Sequence, residues 1–552
     1  MENVDEYHLL ENTDGTTGYE AIATIDGGAT EHGLTVFLPE KMAASYILEA
    51  CNENGCTESD SVAVSGNLAE AVGYSKASNT EAGDWFGAAL ALSADGSTLA
   101  VAATREDSAA AGVDGDQDDN EGGDRGAVYV FRMVDGSWQQ QAYLKSSNAF
   151  DVGILGAGFG FGYSLSLSAD GNTLAVGAPY ENSASTGVNG DQDNADASKS
   201  GAVYILAYEE QEWKHQAYVK ASNAGVADRF GWSVSLSADG EILAVGASYE
   251  RSAATGIDGD QNNDDALGAG AVYLFSKDSG EWQQNFYIKA SNTEEEDYFG
   301  AQIALSGDAQ TLAVTAEREQ GLSPGVNGDQ EDNSGAVLTG AVYVFARGGD
   351  SWAQQAYLKS SNIDSSDLFG WSLAISADGS TLAVGARGED GEATGVNGDQ
   401  SSNDMEDSGA VYVFERNEGS WEQKTYLKAS NTDASDEFGR QLAISADGSR
   451  LAVSSIGDDS AAKGIDGDQT DNSLASTGAV YLFSKEDGDW RQEHYIKASN
   501  TDAADGFGHS LGLSGDGRTL AVGARREDSQ AKGVNGDQED NSMSEAGAVY
   551  LY

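Results

Sequence analysis

The stretch FGWSLAISADGSTLAVGA, residues 369–386, decides the fold. Its first eight residues alternate between large apolar and small side chains and run into Ala-Asp-Gly, a hairpin turn, after which STLAVGA (380–386) reads as the return strand. Downstream, GAVYVF (409–414) reads as a third strand and SWEQKTYLKAS (420–430) as a fourth, carrying Trp421 and Tyr426. Strands one to three hold almost nothing but apolar and small residues, the pattern of a sheet covered on both faces. The fourth is more polar, and its glutamines and Lys428 suit an outer edge where charge discourages pairing with another molecule.

The same order recurs along the chain. Phe-Gly pairs begin at Phe86, Phe161, Phe230, Phe299, Phe369, Phe438 and Phe507, at spacings of 75, 69, 69, 70, 69 and 69 residues. Each is followed by a Gly-Ala-Val-Tyr, starting at Gly126, Gly201, Gly270, Gly340, Gly409, Gly478 and Gly547. Four-stranded units repeated seven times cannot each form a core and must stack radially, which predicts an all-β seven-bladed β-propeller. Seventy glycines against three prolines fit many tight turns between short strands. The last unit stops at Tyr552, after its third strand, while AVGYSKASN (71–79) is a fourth strand standing before the first unit. Counting it, Tyr-x-Lys occurs seven times, at Tyr74, Tyr143, Tyr218, Tyr287, Tyr357, Tyr426 and Tyr495, so the N-terminal strand is expected to complete the last blade.

Phe-Gly followed by LAVGAPY (174–180) and GAVYIL (201–206) resembles the FG-GAP repeat of integrin α-subunit propellers. The resemblance covers residues 69–552 and implies adhesion, ligand recognition and calcium in some blades. Its calcium sites follow D-x-D-x-D-G between the first and second strands, where this chain has only SADGS (376–380), so those ligands do not carry over.

The acidic loop between strands two and three is the candidate instead. At about twenty residues it exceeds most connections in compact domains, and loops of that length are usually functional or held by something other than a core. Seven copies fit Glu-x5-Gly-[Val/Ile]-[Asp/Asn]-Gly-Asp-Gln, with glycines at Gly112, Gly187, Gly256, Gly325, Gly395, Gly464 and Gly533 and Asp458 replacing the Glu in the sixth. The candidate ligands of the first three copies are Glu106, Asp114, Asp116, Asp118 and Asn120; Glu181, Asn189, Asp191 and Asp193; and Glu250, Asp258, Asp260, Asn262 and Asp264. The next two offer Glu319, Asn327, Asp329, Glu331 and Asn333, and Glu389, Asn397, Asp399, Ser401 and Asn403. The last two offer Asp458, Asp466, Asp468, Thr470 and Asn472, and Glu527, Asn535, Asp537, Glu539 and Asn541. Oxygen side chains alternating around a turn glycine suit a hard cation with six to eight oxygen ligands, which predicts calcium, about one per blade, rather than zinc. The alternative is that Asp-Gly and Asn-Gly merely make turns bonded to nearby backbone amides. The second copy is the weakest, because Asn194 comes one residue early and Ala195 follows it.

Other recurring residues read as packing. The phenylalanines of Phe-Gly and the tyrosines of Gly-Ala-Val-Tyr are expected between blades, the glycines where backbones approach closely, and the six fourth-strand tryptophans, Trp138 to Trp490, over blade edges. The Asp two before most Phe-Gly pairs, such as Asp436, is expected to order a turn.

Residues 1–68 lack the repeat. YHLLENTDG (7–15), YEAIATI and YILEACNENGCTESDSVAVSG (46–66) look like the later strands of a fibronectin type III domain, a partial β-sandwich. Cys51 and Cys56 flank the hairpin loop NENG, a place for a cross-strand disulfide and too short for a zinc framework; two free thiols are the alternative. A disulfide favours an extracellular or cell-surface location, and because residues 1–6 carry no secretory signal, the chain is expected to be part of a longer product.

Ninety-one acidic against thirty basic residues leave a net charge of -61, which repels nucleic acid and anionic lipid and attracts cations. No run of eighteen apolar residues predicts a membrane span. The histidines, His8, His32, His215, His494 and His509, follow no repeat and form no protease motif, so catalysis is unsupported. The expected function is calcium-dependent adhesion to an extracellular protein or glycan. The alternatives are a structural subunit of a surface layer or self-associating fibre, or a lectin-like propeller. The apolar insertion AFDVGILGAGFGFG (149–162) is the expected partner contact, a remodelled blade junction being the alternative.

Overall fold

A computed structural model describes residues 4–13, 16–34, 36–64, 71–148, 160–332 and 338–552. Among them the secondary structure is strand throughout, apart from one 3-10 turn at Leu38–Lys41. The N-terminal strands β1 (Glu6–Asn12), β2 (Glu20–Asp26), β3 (Ser45–Asn52), β4 (Gly55–Glu58) and β5 (Val62–Ala63) form one antiparallel sheet of order β2-β1-β3-β4, with β5 also on β3. Cys51 faces Cys56 across the β3–β4 hairpin and the two are joined in a disulfide. Leu38 and its neighbour Phe37 are buried in one cluster with the core of the last repeats, and Glu40 pairs with Arg450 at 2.6 Å.

Every Phe-Gly unit becomes a four-stranded antiparallel sheet. The first contains β7 (Phe86–Leu92), β8 (Thr98–Ala103), β9 (Ala127–Val134) and β10 (Ser137–Leu144), ordered by sequence. The opening stretch is the hairpin Phe369–Ile375 and Thr381–Ala386, followed by Ala410–Asn417 and Ser420–Leu427. We number these sheets 1 to 7 along the chain. In the seventh, β6 (Gly73–Ser75) supplies the fourth strand, with Tyr74 opposite Tyr550 and Ser75 opposite Val549.

The repeated aromatic residues brace one another within a sheet and share a buried cluster with the preceding sheet, as Phe369, Tyr412 and Tyr426 do with Val342, Val344 and Leu358. In sheet 5 the Phe369 ring meets Tyr412 edge-on at 5.5 Å, and Tyr412 leans on Tyr426 at 5.4 Å, all three buried. Such pairs contribute about 0.5–1.5 kcal/mol each beyond their buried area. Gly409 has φ +80°, and a Cβ there would lie 2.1 Å from the Phe438 carbonyl oxygen of sheet 6, so only glycine permits this approach. The corresponding glycine of sheet 7, Gly547, approaches Phe86 O of sheet 1 in the same way.

At the opposite end the strand-one to strand-two turns form a cycle. Backbone N–H groups donate from Ala94 to Ala169, Ala169 to Ala238, Ala238 to Gly307, Asp308 to Ala377, Ala377 to Ala446, Ala446 to Gly515 and Gly515 back to Ala94, at 2.7–3.1 Å. The seven sheets thus follow one another in a propeller-like circuit in which the last meets the first.

Candidate functional site

The acidic loops leave the end of strand two and lie beside the segments that lead from one sheet to the next. Their seven leading acids turn inward. Glu389 is 1% exposed and accepts Lys428 Nζ at 2.8 Å, Tyr426 OH at 2.8 Å and Asn362 Nδ2 at 3.0 Å. The same ion pair recurs as Glu106–Lys145, Glu181–Lys220, Glu250–Lys289, Glu319–Lys359, Asp458–Lys497 and Glu527–Lys76, at 2.7–2.9 Å. Lys428 is therefore not the solvent-facing guard of an open edge that its place on the polar fourth strand suggests. It is completely buried, because the loop folds back over the strand and supplies its counter-ion. The repeated Lys of Tyr-x-Lys and the repeated acid were both visible in the sequence; their pairing, across 39 or 40 residues within a repeat and 451 for Glu527 with Lys76, was not.

The third residue of each Gly-Val-Asn-Gly-Asp-Gln acts on the backbone. Asp114, Asn189, Asp258, Asn327, Asn397, Asp466 and Asn535 all have φ between 53° and 56°. Each accepts the backbone N–H of its sheet's fourth-strand tyrosine through Oδ1, at 2.9–3.2 Å. Asp116, Asp191, Asp260, Asp329, Asp399, Asp468 and Asp537 accept the N–H two residues on, at 2.9–3.1 Å. The residues donating those N–H groups are Asp118, Asp193, Asn262, Glu331, Ser401, Thr470 and Glu539. Asn120, Asn403, Asn472 and Asn541 instead donate to Glu81, Asp364, Asp433 and Asp502, acids on the incoming segment. Asp264 is exposed, Asn194 braces its own loop through Ala184 N and Asp191 O, and Asn333 lies outside the described residues.

The predicted donors of one loop therefore divide into three places: the buried acid on lysine, the third residue on the fourth strand, and the remainder at the exposed rim. As a single six-oxygen cage they do not fit, since the one buried carboxylate already has a cation. Among the described residues, the one group of three or more His, Cys, Asp or Glu side chains with metal-binding proximity is His8, Glu49, Cys51 and Cys56, whose cysteines are bonded to each other.

The loops also clasp neighbouring sheets. Gln117 Oε1 accepts Ser78 Oγ at 2.5 Å, and Gln261 and Gln330 accept Ser222 and Ser291 at 2.6 and 2.5 Å. Beside every leading acid except Glu181 sits the Asp that precedes Phe-Gly. Asp436 Oδ2 accepts Asp433 N–H, ordering the expected turn. Burial foremost, and then Asp458, push its carboxyl up to about 7. Asp84 and Asp505 are raised to about 8 by burial and by Glu106 and Glu527.

Inside the collar the repeat breaks down. The residue after Phe-Gly is Ala88, Tyr163, Trp232, Ala301, Trp371, Arg440 or His509, different in chemistry around the circuit. All but Ala301 line a central cavity of about 580 Å³, together with Glu317 and Arg525 from the ends of second strands. Sequence reasoning concentrated on what repeats and passed over this position; its variation within an otherwise constant motif was the available signal. Of the insertion 149–162, residues 149–159 lie outside the described residues.

Four segments match the family model described as FG-GAP repeat, residues 213–275, 352–414, 421–483 and 490–552. Each runs from a fourth-strand tryptophan into the third strand of the following sheet, so the matched unit straddles a sheet junction. No curated protein matches the chain in sequence. Similar solved structures include a candidate 6-phosphogluconolactonase from Bacteroides uniformis, at 13% identity and TM-score 0.42, covering 78% of this chain and 96% of that one. The β-propeller domain of Myceliophteria thermophila Cps50 (Swd1) has 9% identity and TM-score 0.42, with coverages of 86% and 96%. A functionally unknown protein from Desulfotomaculum acetoxidans has 9% identity and TM-score 0.38, with coverages of 83% and 94%. At these scores the likenesses carry no argument about this chain.

Proposed function

We propose that the chain is a closed seven-bladed FG-GAP β-propeller that works, without catalysis, as a ligand-recognition module outside the cell, preceded by part of a fibronectin type III-like sandwich. The observation that carries this reading is the change of side-chain chemistry at one repeat position that faces the central cavity. The Phe-Gly, Gly-Ala-Val-Tyr and Gly-Asp-Gln markers recur in every repeat, whereas the position after Phe-Gly changes from Ala88 to Trp232 to Arg440. A binding surface needs different groups at different points around it. The Cys51–Cys56 disulfide favours an oxidising compartment. The apolar face of the N-terminal sheet, with Tyr7, Leu9, Ile25, Tyr46 and Leu48 around a cavity of about 480 Å³, suits half of a sandwich.

Calcium belongs to this reading at the exposed rim alone, where Asn120, Asn403, Asn472 and Asn541 meet the incoming acids Glu81, Asp364, Asp433 and Asp502 and a cation would offset the local negative charge. The test is binding of the whole chain to arrays of extracellular proteins and glycans, in calcium and in chelator, with Trp371→Ala as control. Retention that falls with Trp371→Ala and weakens in chelator is expected. Equal retention of wild type and variant on every probe leaves the structural-subunit reading, and retention indifferent to chelator removes calcium from it.

A further inference from the structure

In a chain with three acids for every base, cations gather in the one cavity at the centre of the circuit. Arg525 forms no ion pair among the described residues, and its guanidinium lies 4.3 Å from the Trp85 ring. Burial and the nearby cations Arg526, Arg440 and Arg105 pull its pKa down to about 10. Arg440 sits 4.9 Å from the Trp371 ring and shares the single carboxylate of Glu437 with Arg387, at 2.6 and 2.9 Å. Burial and the same arginines hold His509, also lining the cavity, well below its usual range and so uncharged.

Like charges crowded at half-buried positions destabilise a fold unless something of opposite sign joins them. Glu437 serves Arg387 and Arg440 and Glu545 lies 3.9 Å from Arg526, while Arg525 is paired with neither. The other arc of the cavity differs. Tyr163 and Trp232 lean on each other there, tilted by 44° at 4.7 Å between ring centres, and Glu317 and Gln302 offer hydrogen-bonding groups. At about 580 Å³ the cavity falls in the range of roughly 300–1,000 Å³ usual for small-ligand sites.

We propose that this cavity binds the end of an anionic saccharide. Arg525 and Arg440 take the oxyanion, a ring of Trp232 or Trp371 covers the apolar face of the sugar, and Glu317 with Gln302 takes hydroxyls. The planar guanidinium fork matches a carboxylate or sulfate in two parallel hydrogen bonds. An aromatic floor suits a pyranose face better than an extended backbone, and the acidic collar on the same side repels a long polyanion while admitting one terminal charge. This identification rests on the mouth being the recognition surface proposed above.

The experiment is calorimetric titration of the full chain with a glucuronate-terminated tetrasaccharide, the same compound reduced to its neutral alcohol, a 6-sulfated counterpart and an aspartate-rich peptide. The glucuronate compound is expected to bind at least tenfold more tightly than the neutral one, and Arg525→Gln to remove that advantage while raising the melting temperature by relieving repulsion. Equal strength for the sulfated compound supports recognition of any sugar oxyanion, and weaker binding narrows it to carboxylate. Equal affinity for charged and neutral sugars, or an advantage that survives Arg525→Gln, overturns the proposal. Binding of the peptide alone through Arg525 overturns the saccharide while leaving mouth recognition standing. Silence of all four probes overturns the saccharide too; the array behaviour of Trp371→Ala then decides separately whether mouth recognition survives.

Discussion

Lys428 has none of its side chain in water and Glu389 has 1%, so each is tolerated only because the other is there. Removing one partner of a buried pair leaves an uncompensated charge, at a cost of about 3–5 kcal/mol. Lys428→Met is therefore expected to lower the melting temperature sharply, and the double variant Lys428→Met with Glu389→Gln to recover much of the loss; thermal unfolding of the three proteins checks it. A second residue-scale device is Asp367, pushed up to about 7 by burial first and by Glu389 beside it. Its unfolded value is about 3.9, so the folded chain holds the proton more tightly. By linkage that contribution is complete below about pH 4 and is lost as pH rises through about 7. Asp367 Oδ1 lacks a hydrogen-bond partner, whereas Oδ2 accepts Asp364 N–H, so an amide can replace the acid in place. Asp367→Asn should melt higher than wild type at pH 8.5 and close to it at pH 5; the reverse order would contradict the assignment.

At the scale of elements, the short strand β6 does more than its three residues suggest. It brings Tyr74, whose OH donates to Glu527 at 2.8 Å, and it leads into Lys76, the cation for the same carboxylate at 2.7 Å. Deleting residues 71–79 strips that acid of its counter-ion and uncovers Tyr550, so the melting temperature should fall steeply, as followed by circular dichroism; an unchanged melt would mean that the seventh sheet stands without it. The strands themselves were legible, since Phe369–Ile375, Thr381–Ala386, Ala410–Asn417 and Ser420–Leu427 lie within or next to the stretches that alternation and turn residues marked. The loops were legible as a repeated object and not as a mechanism. Spacing alone could not tell a ligand cage from a clasp, because Glu389, Asn397 and Asp399 are close in sequence and point to three different partners.

Across the whole molecule, a charge of -61 is arranged rather than uniform. Seven acids turn in onto lysines, six of them buried and Glu181 nearly so, the acids of the exposed rim form a collar, and arginines meet aromatic rings in the middle. Repulsion within such a collar weakens with salt or bound cations, which makes ionic conditions part of how this surface presents itself. The sequence by itself determined the repeat number, the strand order, the glycines at sheet junctions and the strand that joins the two ends. All of these follow from local periodicity and from identical residues that must pack alike in every copy. Only the tertiary structure decided that the repeated acid belongs to a lysine and that the non-repeating Trp371, Arg440 and His509 share one cavity. The physical reason is that both arise from residues far apart in the chain, brought together when the sheets close into a circuit.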